Sequence, residues 1–164
     1  MMVDLENSIY LERVPMGGLV KGLVVFFSSI ILLGTLITVL LVPDIQDIFG
    51  IAAGISILTF VLFLFWNYKE IKIQLNKTEL NVKYGFFNQK SIQLKDIVSC
   101  DTIKASFRRY SGIGLRYGVD GSLAYTTSFG DAVKVTPLKG RVFVFSSRNS
   151  QKICNIINST KNAN

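Results

Sequence analysis

The chain has 164 residues, a formal net charge of +7 and a hydrophobic share of 49%, with 18% charged residues and no histidine. Charged residues make up about a quarter of an ordinary globular domain; here every one of them lies outside two 21-residue windows, 22–42 and 48–68. That distribution excludes a water-soluble globule, a disordered chain and a disulfide-framed secreted domain, and the missing histidines exclude any mechanism that uses imidazole as base or metal ligand.

Residues 1–21 carry Asp4, Glu6, Glu12, Arg13 and Lys21 and read as a short cytoplasmic segment before the first window. At 1.5 Å rise per residue, 21 helical residues reach about 31 Å, close to the ~30 Å hydrocarbon thickness of a bilayer. Window 22–42 therefore predicts a retained transmembrane helix. Its Ser28, Ser29, Thr35 and Thr38 can donate to carbonyls one turn back. Residues 43–47 (Pro43, Asp44, Ile45, Gln46, Asp47) form a turn too short to recross the membrane, and Pro43 cannot continue a helix. Window 48–68 predicts the second helix of an antiparallel hairpin, with Trp66 and Tyr68 as interfacial anchors. Within it Gly50 and Gly54 form a GxxxG pair, a smooth face for the first helix or for a second copy of the chain. The turn holds two aspartates and no basic residue, whereas residues 69–164 hold sixteen basic against six acidic. The bias of Lys and Arg toward the cytoplasmic face predicts a multi-pass protein of the cell membrane with both termini cytoplasmic.

From Tyr68 the hydrophobic period changes to two. Ile71, Ile73 and Leu75, then Leu80, Val82 and Tyr84, then Ile92 and Leu94 alternate with polar residues and predict an antiparallel meander. After a less regular stretch, 123–128, 132–138 and 141–145 predict further strands, the second an edge strand or one that ends at Pro137, and the last two joined by a turn at Lys139 and Gly140. Ser146–Ser150 is rich in helix caps, and Ile153, Ile156 and Ile157 at i, i+3, i+4 predict a short amphipathic helix that frays over 159–164. The expected soluble part, 69–158, is mainly β: six or seven antiparallel strands curled to hide their edges and closed by a C-terminal helix.

Residues 68–85 (YKEIKIQLNKTELNVKYG), 90–97 (KSIQLKDI), 109–116 (RYSGIGLR) and 132–140 (AVKVTPLKG) occur in an order and spacing that resembles the bacterial pleckstrin-homology-like domains, in particular a membrane-anchored subset with two N-terminal transmembrane helices. The resemblance implies a strongly bent barrel of about seven strands capped by the C-terminal helix. It does not carry over phosphoinositide recognition. In eukaryotic members that rests on a basic cluster between the first two strands, and here the turn is Asn76, Lys77, Thr78 and Glu79.

No catalytic constellation is present. A Ser or Cys nucleophile without histidine needs a paired lysine, and no such motif occurs. Cys100 and Cys154, 54 positions apart, lack metal-ligand spacing and are expected to be reduced, buried small hydrophobes. Gly112, Gly114 and Gly118 read as backbone bends, with a phosphate-cradling loop as the alternative. Lys104, Arg108, Arg109 and Arg116, interleaved with Phe107, Tyr110 and Tyr117, are the candidate contacts for anionic lipid headgroups or a protein partner, with nucleic acid ranking last. The expected function is a non-enzymatic, cofactor-free scaffold that recruits a protein partner or a second copy at the bilayer. An anionic-lipid sensor or an accessory subunit of a membrane complex is the alternative.

Overall fold

A computed structural model of the chain describes residues 8–41, 48–106 and 112–162. It divides into two compact units: residues 17–68 form one, and the chain on either side of them forms the other.

The first unit consists of α1 (Gly18–Leu41) and α2 (Ile48–Asn67). Both are long and apolar enough to cross a membrane, and neither has its apolar window buried by protein. α1 starts before the uncharged window because Lys21 lies in its first turn, where its amide donates to Gly17 O at 3.2 Å. The hydroxyls of Ser29, Thr35, Thr38 and Thr59 donate to carbonyls four residues back at 2.8–3.0 Å. Ser28 departs from the expectation: its buried Oγ has no hydrogen-bond partner among the described residues. The two helices pack closely at Gly54, where an added Cβ would stand 2.5 Å from Thr35 Oγ1, whereas at Gly50 it would meet open space. Of the two small residues, Gly54 is thus the one that lets α1 approach. The turn expected at residues 43–47 lies outside the described residues.

The second unit holds nine strands in two sheets among the described residues. β1 (Ser8–Pro15), β2 (Glu70–Asn76), β3 (Glu79–Tyr84) and β4 (Asn88–Gln93) form an antiparallel sheet in that order. A 3-10 turn, Leu94–Asp96, leads into β5 (Ile97–Ala105). β6 (Gly114–Tyr117), β7 (Leu123–Thr126), β8 (Gly130–Pro137) and β9 (Phe143–Ser146) complete a second sheet of order β5-β8-β9-β7-β6. Helix α3 (Ser150–Asn162) ends the described chain.

The predicted meander is β2-β3-β4, and β8 does end at Pro137. Three strands are absent from the sequence reading. β1 runs against the usual pattern, with Ile9 and Leu11 exposed and Glu12 buried beside Val14, so hydropathy gives no consistent inward apolar face. In β5 a register shift between Ile97 and Ser99 breaks the alternation. β6 is the glycine-rich stretch read as bends. The all-antiparallel expectation also needs correction: β7 and β9 pair in parallel, because the β8–β9 hairpin lies between β5 and β7 and brings β9 alongside β7 in the same direction. Nor does the helix fray at 159. Thr160 Oγ1 donates to Ile156 O at 2.8 Å, and Lys161 Nζ reaches back to Val98 O at 3.1 Å.

Paired residues share a face. The ladders therefore set Ile71, Ile73, Leu75, Leu80, Val82 and Tyr84 on one side of the first sheet, all fully or almost fully buried. In the second sheet, Val133, Val135, Phe143, Phe145 and Tyr125 form the matching face. The Tyr84 ring meets Tyr125 at 5.9 Å, Tyr125 stands edge-on to Phe143 at 5.0 Å, and Ile153 and Ile157 of α3 are buried with no exposure. The other face of the second sheet holds a smaller cluster of Ala105, Ala124, Ala132 and Val144.

Candidate functional site

The ladders separate the basic residues that the sequence set close together. Lys104 lies on β5 opposite Asp131, and Arg116 lies on β6 opposite Ala124. β5 and β6 are the two outermost strands of their sheet. Tracing the registers from Ala124 to Val144, Lys134 and then the β5 partners gives Lys104 and Arg116 opposite faces as well as opposite edges. They do not form one patch. Arg108, Arg109, Phe107 and Tyr110 lie outside the described residues. Gly112 (φ +142°) and Gly114 (φ +112°) occupy backbone conformations that side chains disfavour, which supports their reading as bends. The Arg116 guanidinium lies over Gly112, 3.5 Å from where a Cβ would be. Gly118 donates to Ser122 O at 2.8 Å and accepts from Gly121 N–H, closing the β6–β7 turn. Trp66 is exposed at the end of α2 and Tyr68 half-exposed just beyond it.

The cysteines correct the sequence reading directly. Cys100 on β5 and Cys154 on α3 are joined in a disulfide, with Cα atoms 5.3 Å apart. Residues 54 positions apart give no local spacing signal. Their proximity follows from α3 packing on β5, and β5 itself was not foreseen. Disulfides persist in oxidising compartments, so this bond opposes the cytoplasmic side that the Lys and Arg distribution favours.

A polar constellation missed by sequence reasoning ties the start of the chain to its end. Glu12 on β1 is 8% exposed and faces inward because it pairs with Ile73. Tyr10 OH donates to its Oε2 at 3.0 Å and Ser147 Oγ donates to the same oxygen at 2.8 Å. The Arg148 backbone N–H donates to Oε1 at 2.8 Å. Ser147 Oγ in turn accepts from Asn149 N–H just before α3. The carboxylate thus fills the donor-rich entrance of α3, where the helix dipole also favours negative charge. Burial, and next the hydrogen bond to Glu12, hold the Tyr10 phenol above its ordinary pKa. Lys152 Nζ stands 5.3 Å from the Tyr10 ring centre. The constellation has no reactive pair; its chemistry is attachment.

The edges differ in how they are protected. β5 presents Asp101 and Lys104 and an irregular register, and β1 also carries a register shift. β6 carries one charge, Arg116, between exposed Leu115 and Tyr117, and Val119 beyond it is 84% exposed. Among the described residues no strand pairs with its outer edge. Arg141 stacks on Tyr117 at 5.2 Å and holds that ring at the rim. Among the described residues no three His, Cys, Asp or Glu side chains converge as a metal site. Comparison with protein families, with curated proteins and with solved structures finds no match for this chain.

Proposed function

We propose that the protein is a membrane-anchored, non-enzymatic interaction module whose β6 edge receives an extended segment of a protein partner. The observation that carries this reading is the single-charge edge with Leu115, Tyr117 and Val119 exposed beside it. Natural edge strands are blunted by charges, bulges or covering elements, and an edge left with open hydrogen-bonding groups and apolar side chains is the template for strand addition.

Membrane anchoring is supported by α1 and α2, and a shared side for their outer ends is supported by the β1–β2 ladder, which runs from Ser8 opposite Asn76 to Pro15 opposite Glu70. The Lys and Arg excess after residue 68 favours the cytoplasmic side for this unit, and the Cys100–Cys154 disulfide is the observation that stands against it. The likeness to bacterial pleckstrin-homology-like domains is supported by the opening meander and the terminal helix. Among the described residues, nine strands in two sheets, with one parallel pair, depart from a simple seven-stranded barrel. The test is a photo-crosslinking residue at Val119 in native membranes. One protein captured repeatedly, and lost with Tyr117→Glu, is expected; adducts to lipid alone, or capture indifferent to Tyr117→Glu, would overturn the reading.

A further inference from the structure

The turn between β3 and β4 is Gly85-Phe86-Phe87, and its two rings are 69% and 78% exposed. Rings this exposed lie outside the buried core. Their position in the sheet is informative. Ile71 at the start of β2 pairs with Tyr84 at the end of β3, so the Phe tip lies at the same end of the sheet as the start of β2. That end is also where β1 stops, since Pro15 pairs with Glu70, and Met16 N–H donates to Lys69 O at 2.8 Å to close it. Two residues separate Pro15 from α1 and two separate Asn67 from β2. Both apolar helices are therefore covalently attached at the end of the sheet that carries Phe86 and Phe87. The tip is one strand over from β2, about 5 Å in the sheet.

The same end carries a row of cations. Arg13 pairs with Lys72 and Lys72 with Lys83, which gives the three side chains one face, opposite to the core face of Val14, Ile71 and Tyr84. Lys83 Nζ stands 6.0 Å from the Phe86 ring centre. Glu70 offsets part of this charge through a 3.4 Å ion pair with Lys72, and Lys69 adds to it at the junction with α2. Apolar rings at a tip with cations behind them match the two layers of an anionic bilayer surface, acyl boundary and headgroups.

We propose that the β3–β4 turn is a membrane-interface wedge: Phe86 and Phe87 enter the acyl boundary while Arg13, Lys72 and Lys83 lie among anionic headgroups, fixing the orientation of the β unit on the bilayer. The inference rests on the membrane reading of α1 and α2. It is independent of the β6 edge.

The test uses the full chain reconstituted in phosphatidylcholine–phosphatidylglycerol bilayers, with Phe87→Trp in a Trp66→Phe background so that a single tryptophan reports. The expected result is blue-shifted emission, quenched by lipids brominated near the glycerol and shielded from acrylamide. Exchanging Lys72 and Lys83 for glutamine lowers the ratio of inserted to water-exposed tip by about fivefold per cation removed, roughly thirtyfold together; the near-ultraviolet circular dichroism of the buried rings checks that these variants fold. Emission fully open to acrylamide in a protein that co-floats with the vesicles overturns the wedge alone. Failure of the chain to co-float overturns the wedge and the membrane reading together. A tip open to acrylamide in pure lipid but protected in native membranes also overturns it, and assigns the turn to a protein contact.

Discussion

Removing the Glu12 carboxylate tests whether the two ends of the chain hold each other. Glu12→Ala deletes three hydrogen bonds to one carboxyl group, at 3.0, 2.8 and 2.8 Å. Bonds to charged groups contribute about 1.5–3 kcal/mol each, and a buried donor left without a partner carries a further penalty. Of the three donors, Ser147 is 3% exposed and cannot turn to water, while Tyr10 is only half-buried and can. Such terms share one carboxylate and do not add, so the expected loss is about 3 kcal/mol for Glu12→Ala. It is about half that for Glu12→Gln, whose amide can serve one donor but turns its own N–H groups toward the others. The assay is denaturant unfolding of the full chain in nonionic detergent, followed by the near-ultraviolet signal of Tyr84, Tyr125, Phe143 and Phe145. A double-mutant cycle with Ser147→Ala is expected to return a coupling of about 1 kcal/mol. A Glu12→Ala loss below about 0.5 kcal/mol, or a vanishing coupling, would refute the assignment of Glu12 as the link between β1 and α3.

Tyr10→Phe should remove a late component from the alkaline absorbance titration. Because the folded phenol ionises above its ordinary value, whatever stability it supplies is intact below the unfolded pKa and declines as pH rises through the folded one. Gly54→Ala should push Thr35 from its rotamer and weaken the α1–α2 contact by about 1–2 kcal/mol. Gly50→Ala should leave it unchanged, and disulfide trapping between the helices reads the difference. Cys154→Ser should destabilise by about 4 kcal/mol from the 54-residue loop alone. Alkylation of the native protein before and after reduction should shift its gel mobility only after reduction.

The parts of the fold legible in the sequence are those where one face is apolar and the other polar. α1 and α2 follow from two uncharged windows, β2 and β3 from strict alternation over Ile71–Leu75 and Leu80–Tyr84, and α3 from isoleucines on one helical face. β1 escaped because one of its two buried positions, beside Val14, is a glutamate whose partners Ser147 and Arg148 lie more than 130 residues away. β5 escaped because an irregular register interrupts its period, and the disulfide escaped with it. The candidate cation cluster illustrates a different limit. Lys104 and Arg116 are 12 positions apart and strand order sends them to opposite edges of the sheet, whereas Lys72 and Lys83, 11 apart, and Arg13, 59 positions before Lys72, are adjacent in the ladder. Phe86 and Phe87 could have been found: two large apolar residues next to Gly85 at a turn have no core to enter.

Joining β1 and β2 through two apolar helices rather than a short turn has a mechanical consequence. Both strands leave the ladder at one end, at Pro15 and Glu70. Lateral tension that separates α1 from α2 therefore loads this strand pair as a zip, one rung at a time, beginning beside Met16 and Lys69. The third rung it reaches is Arg13 with Lys72 and the fourth is Glu12 with Ile73. Opening that far would pull the carboxylate off the entrance to α3, so the hold of β1 on that helix would be lost at the fourth rung.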